Sequence, residues 1–356
     1  MNRADRVAAR LAELELDLLL VTNLTNLRYV TGFTGSNGVA VIGEDVRRFV
    51  TDFRYVEQAA GQVLDFDREQ GPQEFVKALE TGWPEGRLRL GFEDGHVTVR
   101  ARDRIRDALS DRIELVPAGD VVEAERAVKD ERELARIRDA AKLLDDVYDW
   151  LREWGIVGRT EREVALALEH EMRLRGASDP SFPSIVASGP RGALPHASPG
   201  DDPIETGTLV TLDIGAVLDG YCSDCTRTWA TGPELPDELR EAYELVQRAQ
   251  RASVDAVRHG PEGREIDAVA RGMIEEAGHG DHFGHGLGHG VGLEVHEAPR
   301  LARSGTEPLV AGNVVTVEPG VYLPAVGGVR IEDLVVVTDG GCEVLTGTTR
   351  DLVVVD

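Results

Sequence analysis

The chain has 356 residues, with 39 Lys or Arg against 64 Asp or Glu, a formal net charge of −25 at pH 7. Such a field repels nucleic acid, the length suits two domains, and no apolar run reaches the ~18 residues of a membrane span, so neither nucleic acid nor a membrane is an expected partner. Only Lys77, Lys129 and Lys142 are lysines; an acidic, lysine-poor surface fits a halophilic protein from a salt-rich cytoplasm, with arginine-favouring codon bias in an ordinary acidic mesophile as the plain alternative.

In chain order, RVAARLAELELD reads as an amphipathic helix, LLLVTN and GVAVIG as strands and RFVTD as another, which predicts a small α/β domain over residues 1–122. The boundary falls near VPAGDVVEAER, and residues 123–356 form the second domain. It opens with a long charged helix, KDERELARIRDAAKLLDDVYDWLREW, followed by TEREVALALEHEMRLRGA, whose Thr160 and Glu163 have capping-box spacing and whose His170 is expected at the surface. Residues 208–217 and 221–229 read as strands joined at Asp219-Gly220, a strong hairpin signal. Helices over 239–258 and 264–277 follow, then a glycine-rich segment at 282–297 and strands at 313–322 and 327–337. The fold class is therefore α+β, the second domain being an antiparallel sheet with four helices along one side.

Chemistry concentrates in the second domain. Asp213 is a solitary acid on an apolar strand, and a turn at Asp219-Gly220 sets Gly215 opposite Asp224, so that Asp213 and Asp224 project together from one face. Two close like charges on strands otherwise fit for burial repel unless a cation neutralises them. Glu318 is again a single acid on an apolar strand, held extended by Pro319. Glu332 shares strand parity with Arg330, which leaves it either a metal ligand or an ion-pair partner of that arginine. His285 and His289 have the spacing of a helical zinc pair, but glycines at 284, 286, 288, 290 and 292 disfavour a helix and suggest extended backbone that other chain approaches closely. Four carboxylates and one imidazole, Asp213, Asp224, His289, Glu318 and Glu332, are a donor set for two divalent ions and metal-assisted hydrolysis.

Cys222 and Cys225 form a CxxC, yet within a strand they point to opposite faces, so redox or zinc chemistry is disfavoured. With Cys342 distant and no signal peptide evident, the three cysteines suggest a reducing, cytoplasmic setting without a disulfide framework.

The ordered motifs PHASP with His196, LDIGAVLDGYCSDCTRT with Asp213 and Asp224, HGLGHGVGLEVHE with His289 and His296, VEPGVY with Glu318 and VRIED with Glu332 resemble the pita-bread metallopeptidases of the M24 type. Within them the proline-specific exopeptidases, Xaa-Pro dipeptidase (prolidase) and aminopeptidase P, are most similar. The segments LRYVTGFTGSNG and TDFRYVEQA resemble the creatinase-type N-terminal domain of these enzymes, so the likeness covers nearly the whole chain. It implies a pita-bread catalytic domain behind a creatinase-type domain and a substrate with proline at its second position. It further implies that Asp213 holds one metal, Asp224 and Glu332 bridge both, and His289 and Glu318 complete the other shell, with a bridging hydroxide as nucleophile. Glu318 would be the general base, His196, His285 and His296 would orient the scissile carbonyl and stabilise the intermediate, and Arg330 would support Glu332. Oxygen-rich ligation favours Mn²⁺ or Co²⁺, with Zn²⁺ also compatible. Arg300, with Arg303 as second choice, is the natural partner for the carboxylate of a C-terminal proline. A homodimer is implied as well. Methionine aminopeptidases lack such an N-terminal domain, creatinase lacks the ligand set, and an inactive binding module should have lost acids at these positions.

Overall fold

The computed structural model describes residues 2–355 and divides into two compact units, the first ending at Arg126 and the second beginning at Ala127. In the first unit, helices α1 (Arg3–Leu11), α2 (Leu24–Thr31), α3 (Val56–Gln62), α4 (Val99–Ala108) and α5 (Val121–Arg126) accompany one mixed sheet. Its strands, β1 (Leu18–Val21), β2 (Gly38–Gly43), β3 (Arg47–Thr51), β4 (Asp67–Gln70), β5 (Leu88–Phe92) and β6 (Ile113–Pro117), lie in the order β4-β3-β2-β1-β5-β6. The run Leu18-Leu19-Leu20-Val21 is buried throughout, as a central strand covered on both faces must be, whereas the edge strand β4, DREQ, is exposed and charged and so resists pairing with another chain. Asn2 caps α1 in a capping box with Asp5, and Thr98 caps α4.

The second unit opens with α6 (Glu131–Trp154), capped by Asp130 with Glu133, and α7 (Glu161–Leu174), where Thr160 and Glu163 form the expected box. Losing such a cap costs about 1 kcal/mol. His170 is exposed on α7 as expected. The strands that follow are β7 (Asp179–Pro180), β8 (Ile185–Ser188), β9 (Leu209–Ile214), β10 (Ala216–Leu218), β11 (Tyr221–Cys222) and β12 (Cys225–Ala230). Helices α8 (Asp237–Ala256) and α9 (Gly263–Glu276) come next, then β13 (Gly288–Gly290), β14 (Glu297–Leu301), β15 (Val314–Val317), β16 (Gly320–Leu323), β17 (Gly327–Arg330), β18 (Asp333–Thr338) and β19 (Gly341–Val344).

Two expectations need correction here. Every pairing between these strands is antiparallel, with one isolated parallel bridge from Ala230 of β12 to Val354, but the strands form several short ladders, β11-β10-β7, β12-β9-β8, β14-β13-β15-β18-β19 and β16-β17, in place of one continuous sheet. Nor do the helices keep to one side. Alternate residues of β18 enter different cores, Val335 and Val337 with α8 and α9, Leu334 and Val336 with Leu134 and Ile137 of α6. A strand reading DLVVVT has no polar face to leave in water, so both of its faces are covered. Helices α6 and α7 pack a separate core against Val210, Leu212 and Ile214 of β9. Asp213, of opposite parity, is thereby turned away from these helices.

Candidate active site

The ladders break where the acids sit. Asp224 lies between β11 and β12, Glu318 follows β15, Glu332 lies between β17 and β18, and Asp213 is the penultimate residue of β9. The turn that aligns the first pair is the expected one: Leu218 faces Tyr221 across Asp219 and Gly220, whose φ angles of 49° and 82° are those of a type I′ hairpin. Pairing of Val217 with Cys222 and of Ile214 with Cys225 holds one register across the break, which sets Gly215 opposite Asp224. A β-carbon on Gly215 would lie 2.5 Å from the Ser223 carbonyl oxygen, so only glycine fits there. Across the unit, the Glu332 amide donates to the Thr226 carbonyl (3.1 Å) and the Thr226 hydroxyl donates to Glu332 Oε2 (2.8 Å). Asp213, Asp224 and Glu332 each offer a carboxylate oxygen, all within 4.8 Å of one another.

His289 completes the cluster from β13. Its amide donates to the Thr316 hydroxyl (3.1 Å) and its Nδ1 lies 3.0 Å from the Gly290 carbonyl, which gives Nδ1 a proton to donate and turns Nε2 inward. That Nε2 stands 3.3 Å from Glu318 Oε1 and 3.7 Å from Asp224 Oδ2. The flanking glycines have the expected reason: a β-carbon would meet the Thr316 carbonyl oxygen at 2.0 Å from Gly288 and the Ala298 carbonyl oxygen at 2.2 Å from Gly290.

Burial raises the Asp224 and Glu332 carboxyls well above their ordinary range, and the charges of neighbouring acids push them further. Burial raises Asp213 too, against the opposing pull of Arg330. Glu318 behaves differently: although buried, it is drawn down to about 2 by the hydrogen bond from His289 and the charges of His289, His285 and Arg330. Asp213 Oδ1 and Glu332 Oε1 are buried and find no hydrogen-bond donor. Anionic oxygens so placed cost several kcal/mol unless a cation meets them, and the donor set of four carboxylates and one imidazole fits divalent metal.

Arg330 does more than support Glu332. Its Nη2 donates to Asp213 Oδ2 (2.7 Å) and its Nε to the Thr226 hydroxyl (3.1 Å), and it acts on Glu332 through that threonine and by its charge. Strand β17 ends at Arg330 and β18 begins at Asp333, so residues 330 and 332 are not neighbours on one strand face. The Arg330 Nη1 donates to the Tyr322 hydroxyl (2.9 Å) and to the Pro195 carbonyl (3.2 Å), the residue before His196. Tyr322, which no sequence signal singled out, also lies 2.9 Å from His285 Nε2.

The remaining histidines gather around this centre. The His296 ring meets His289 edge-on at 4.3 Å, and both His285 and His296 are lowered, first by burial, with His196 close enough for its charge to contribute. His196 and His296 are exposed, as a residue meeting substrate should be. Arg300 is exposed on β14 directly opposite His289, whereas Arg303 is engaged by Glu275 at 3.0 Å. Cys222 and Cys225 enter two different cores, so the CxxC brings no thiols together.

Comparison with known proteins agrees with this geometry. Residues 135–339 match metallopeptidase family M24, and residues 3–128 match the creatinase/prolidase N-terminal domain. A protein of Pyrococcus furiosus named Xaa-Pro dipeptidase is 36% identical over 357 residues, spanning 99% of this chain and 99% of its own. Among solved structures, a Xaa-Pro dipeptidase from Bacillus anthracis superposes with a TM-score of 0.95 at 40% identity over 99% of each chain. An X-Pro aminopeptidase from Thermotoga maritima does so at 0.89 and 36% identity over 100% of each. The chain belongs to metallopeptidase family M24, carrying the creatinase/prolidase N-terminal domain ahead of the catalytic one.

Proposed function

We propose that the protein is a dinuclear-metal exopeptidase that hydrolyses the bond between an N-terminal residue and proline, with Xaa-Pro dipeptides as its preferred substrates. The observation that carries this reading is the convergence of Asp213, Asp224 and Glu332 within 4.8 Å, with His289 Nε2 aimed at the same space and two buried carboxylate oxygens lacking donors. Asp213, Asp224, His289, Glu318 and Glu332 would hold the ions, Mn²⁺ or Co²⁺ suiting so many oxygen donors. When bound, such ions supply Lewis acidity and lower the pKa of water.

The chain's own groups do the rest. Glu318, beside His289, accepts the proton of the attacking water. His285, His296 and His196 orient the scissile carbonyl and donate toward the charge that develops on its oxygen. Arg330 neutralises Asp213 and ties the loop before His196 to the same centre. Arg300, exposed beside His289, pairs with the free carboxylate of a dipeptide's proline.

The test is to offer Mn²⁺-loaded protein a Xaa-Pro dipeptide beside a Xaa-Pro-Xaa tripeptide. A higher kcat/KM for the dipeptide, lost in Arg300→Met, is expected. Preference for the tripeptide would give the aminopeptidase P reading, and cleavage of neither would reject the proposal.

The protein is further proposed to act as a homodimer in a reducing, salt-rich cytoplasm. Support for the dimer is Phe53, 74% exposed on the N-terminal unit next to Tyr55, whose hydroxyl meets Ser36 of the TGFTGSNG segment. Three free cysteines fit the reducing setting. No helix among the described residues is long and apolar enough to cross a membrane.

A further inference from the structure

His285 stands on chain that no helix or strand holds. Residues 283–287 follow α9 and a short turn and precede β13, with glycines at 284 and 286 that leave the backbone free to wander. A side chain that must meet a reacting carbonyl needs that backbone fixed, since displacement by about 1 Å can cost about a hundredfold in rate.

The Glu318 amide holds the far end of the segment by donating to the Leu287 carbonyl (2.8 Å), and the rest of the fixing comes from α9. Asp267 and Arg271 lie one turn apart on it, both buried, joined by two parallel hydrogen bonds of 2.7 Å (Nε to Oδ2) and 2.8 Å (Nη2 to Oδ1). Neither is used up by the other. Arg271 Nη1 donates to the Phe283 carbonyl (3.0 Å), Nη2 donates to the His285 carbonyl (2.7 Å), and Asp267 Oδ1 accepts from the Leu287 amide (3.0 Å). The guanidinium also lies over the Phe283 ring at 4.3 Å, and that ring meets the His285 imidazole edge-on at 5.0 Å. On the other side, a β-carbon at Gly286 would lie 2.9 Å from Ala302, so the segment is closed in from both directions.

A buried ion pair is a poor source of stability, because desolvation offsets most of its attraction and apolar replacements often serve as well. Here the hydrogen bonds that the two side chains make beyond the pair itself go to three peptide groups around His285. We propose that Asp267 and Arg271 are positioning residues for the reaction, a clamp on the backbone of residues 283–287 that sets the His285 imidazole against the substrate. This rests on the reading of His285 as a residue that meets the scissile carbonyl.

Arg271→Lys keeps the charge but cannot reproduce the planar fork. It is to be made in the wild-type and His285→Gln backgrounds, with Asp267→Asn in the same two backgrounds as a second variant that retains an acceptor for the Leu287 amide. In the wild-type background each should lower kcat by about 10- to 100-fold, with KM within about twofold and metal content unchanged. In the His285→Gln background the same substitutions should change kcat by less than about twofold, since the residue they position is gone. The side-chain NMR signal of His285, assigned by its loss in His285→Gln, should move in both variants. Equal fold-losses in the two backgrounds, or an unmoved His285 signal, would overturn the clamp. If the wild-type protein cleaves no Xaa-Pro substrate, the functional reading has failed, and the NMR comparison still decides whether the pair positions His285.

Discussion

Replacing Asp224 with Asn should stabilise the metal-free protein while abolishing its activity. In the folded chain Asp224 is buried against Glu332, Asp213 and Glu318, whose charges outweigh the opposing pull of Arg330. Ligand oxygens within 4.8 Å of one another repel by about 3 kcal/mol per ionised pair at an effective dielectric constant of about 20. That figure is a ceiling, because the carboxyl relieves part of the repulsion by taking up a proton. At about 2–4 °C per kcal/mol for a unit of this size, a net relief of about 1–3 kcal/mol should raise the melting temperature by several degrees. The pH dependence follows from the direction of the shift. Asp224 is held above its ordinary 3.8, so above that value the unfolded chain releases a proton that the folded chain keeps, and stability falls as pH rises until the folded value is passed. Asn has no such proton, so its advantage should be absent at about pH 4 and present at about pH 7. Calorimetry on exhaustively chelated wild-type and Asp224→Asn proteins at both pH values reads this directly. A variant that melts below wild type at about pH 7, or by the same margin at both, would refute the picture of mutually repelling acids awaiting a cation.

His296→Gln should retain metal at wild-type stoichiometry while kcat falls by about two to three powers of ten, and loss of metal would make His296 a ligand instead. Lys129 pairs with Glu297 at 3.1 Å where both side chains are nearly inaccessible, so Lys129→Met should cost about 3–5 kcal/mol by urea unfolding, a cost under about 1 kcal/mol contradicting it. Raising KCl from about 0.01 to about 1 M shortens the Debye length from about 30 to about 3 Å and should raise the melting temperature of this chain of net charge −25 mostly at the low end; a flat or falling curve would show the acidic surface to be ordinary.

Where a residue broke the chemistry of its surroundings, the sequence announced it. A lone acid on an apolar strand is anomalous, so Asp213 and Glu318 stood out, and the Asp219-Gly220 turn supplied the register that puts Asp224 beside Asp213. The capping box made α7 legible to within a residue at its start. What conformed to its surroundings stayed hidden. Tyr322 on an apolar strand reads as core, and Thr226 reads as an ordinary strand residue, yet one links Arg330 to His285 and the other links Arg330 to Glu332. The ladder breaks at 215, 224, 318 and 331–332 were invisible for another reason: each depends on which distant strand supplies partners, and counting parity across the last of them could not reveal the direct pairing of Arg330 with Asp213.

The most direct test is a metal titration of exhaustively chelated protein, with Xaa-Pro dipeptide hydrolysis measured at each addition of Mn²⁺. The cluster of Asp213, Asp224, His289, Glu318 and Glu332 predicts no turnover without metal and activity that saturates at about two equivalents per chain. Undiminished activity in protein shown by elemental analysis to hold no metal would contradict it.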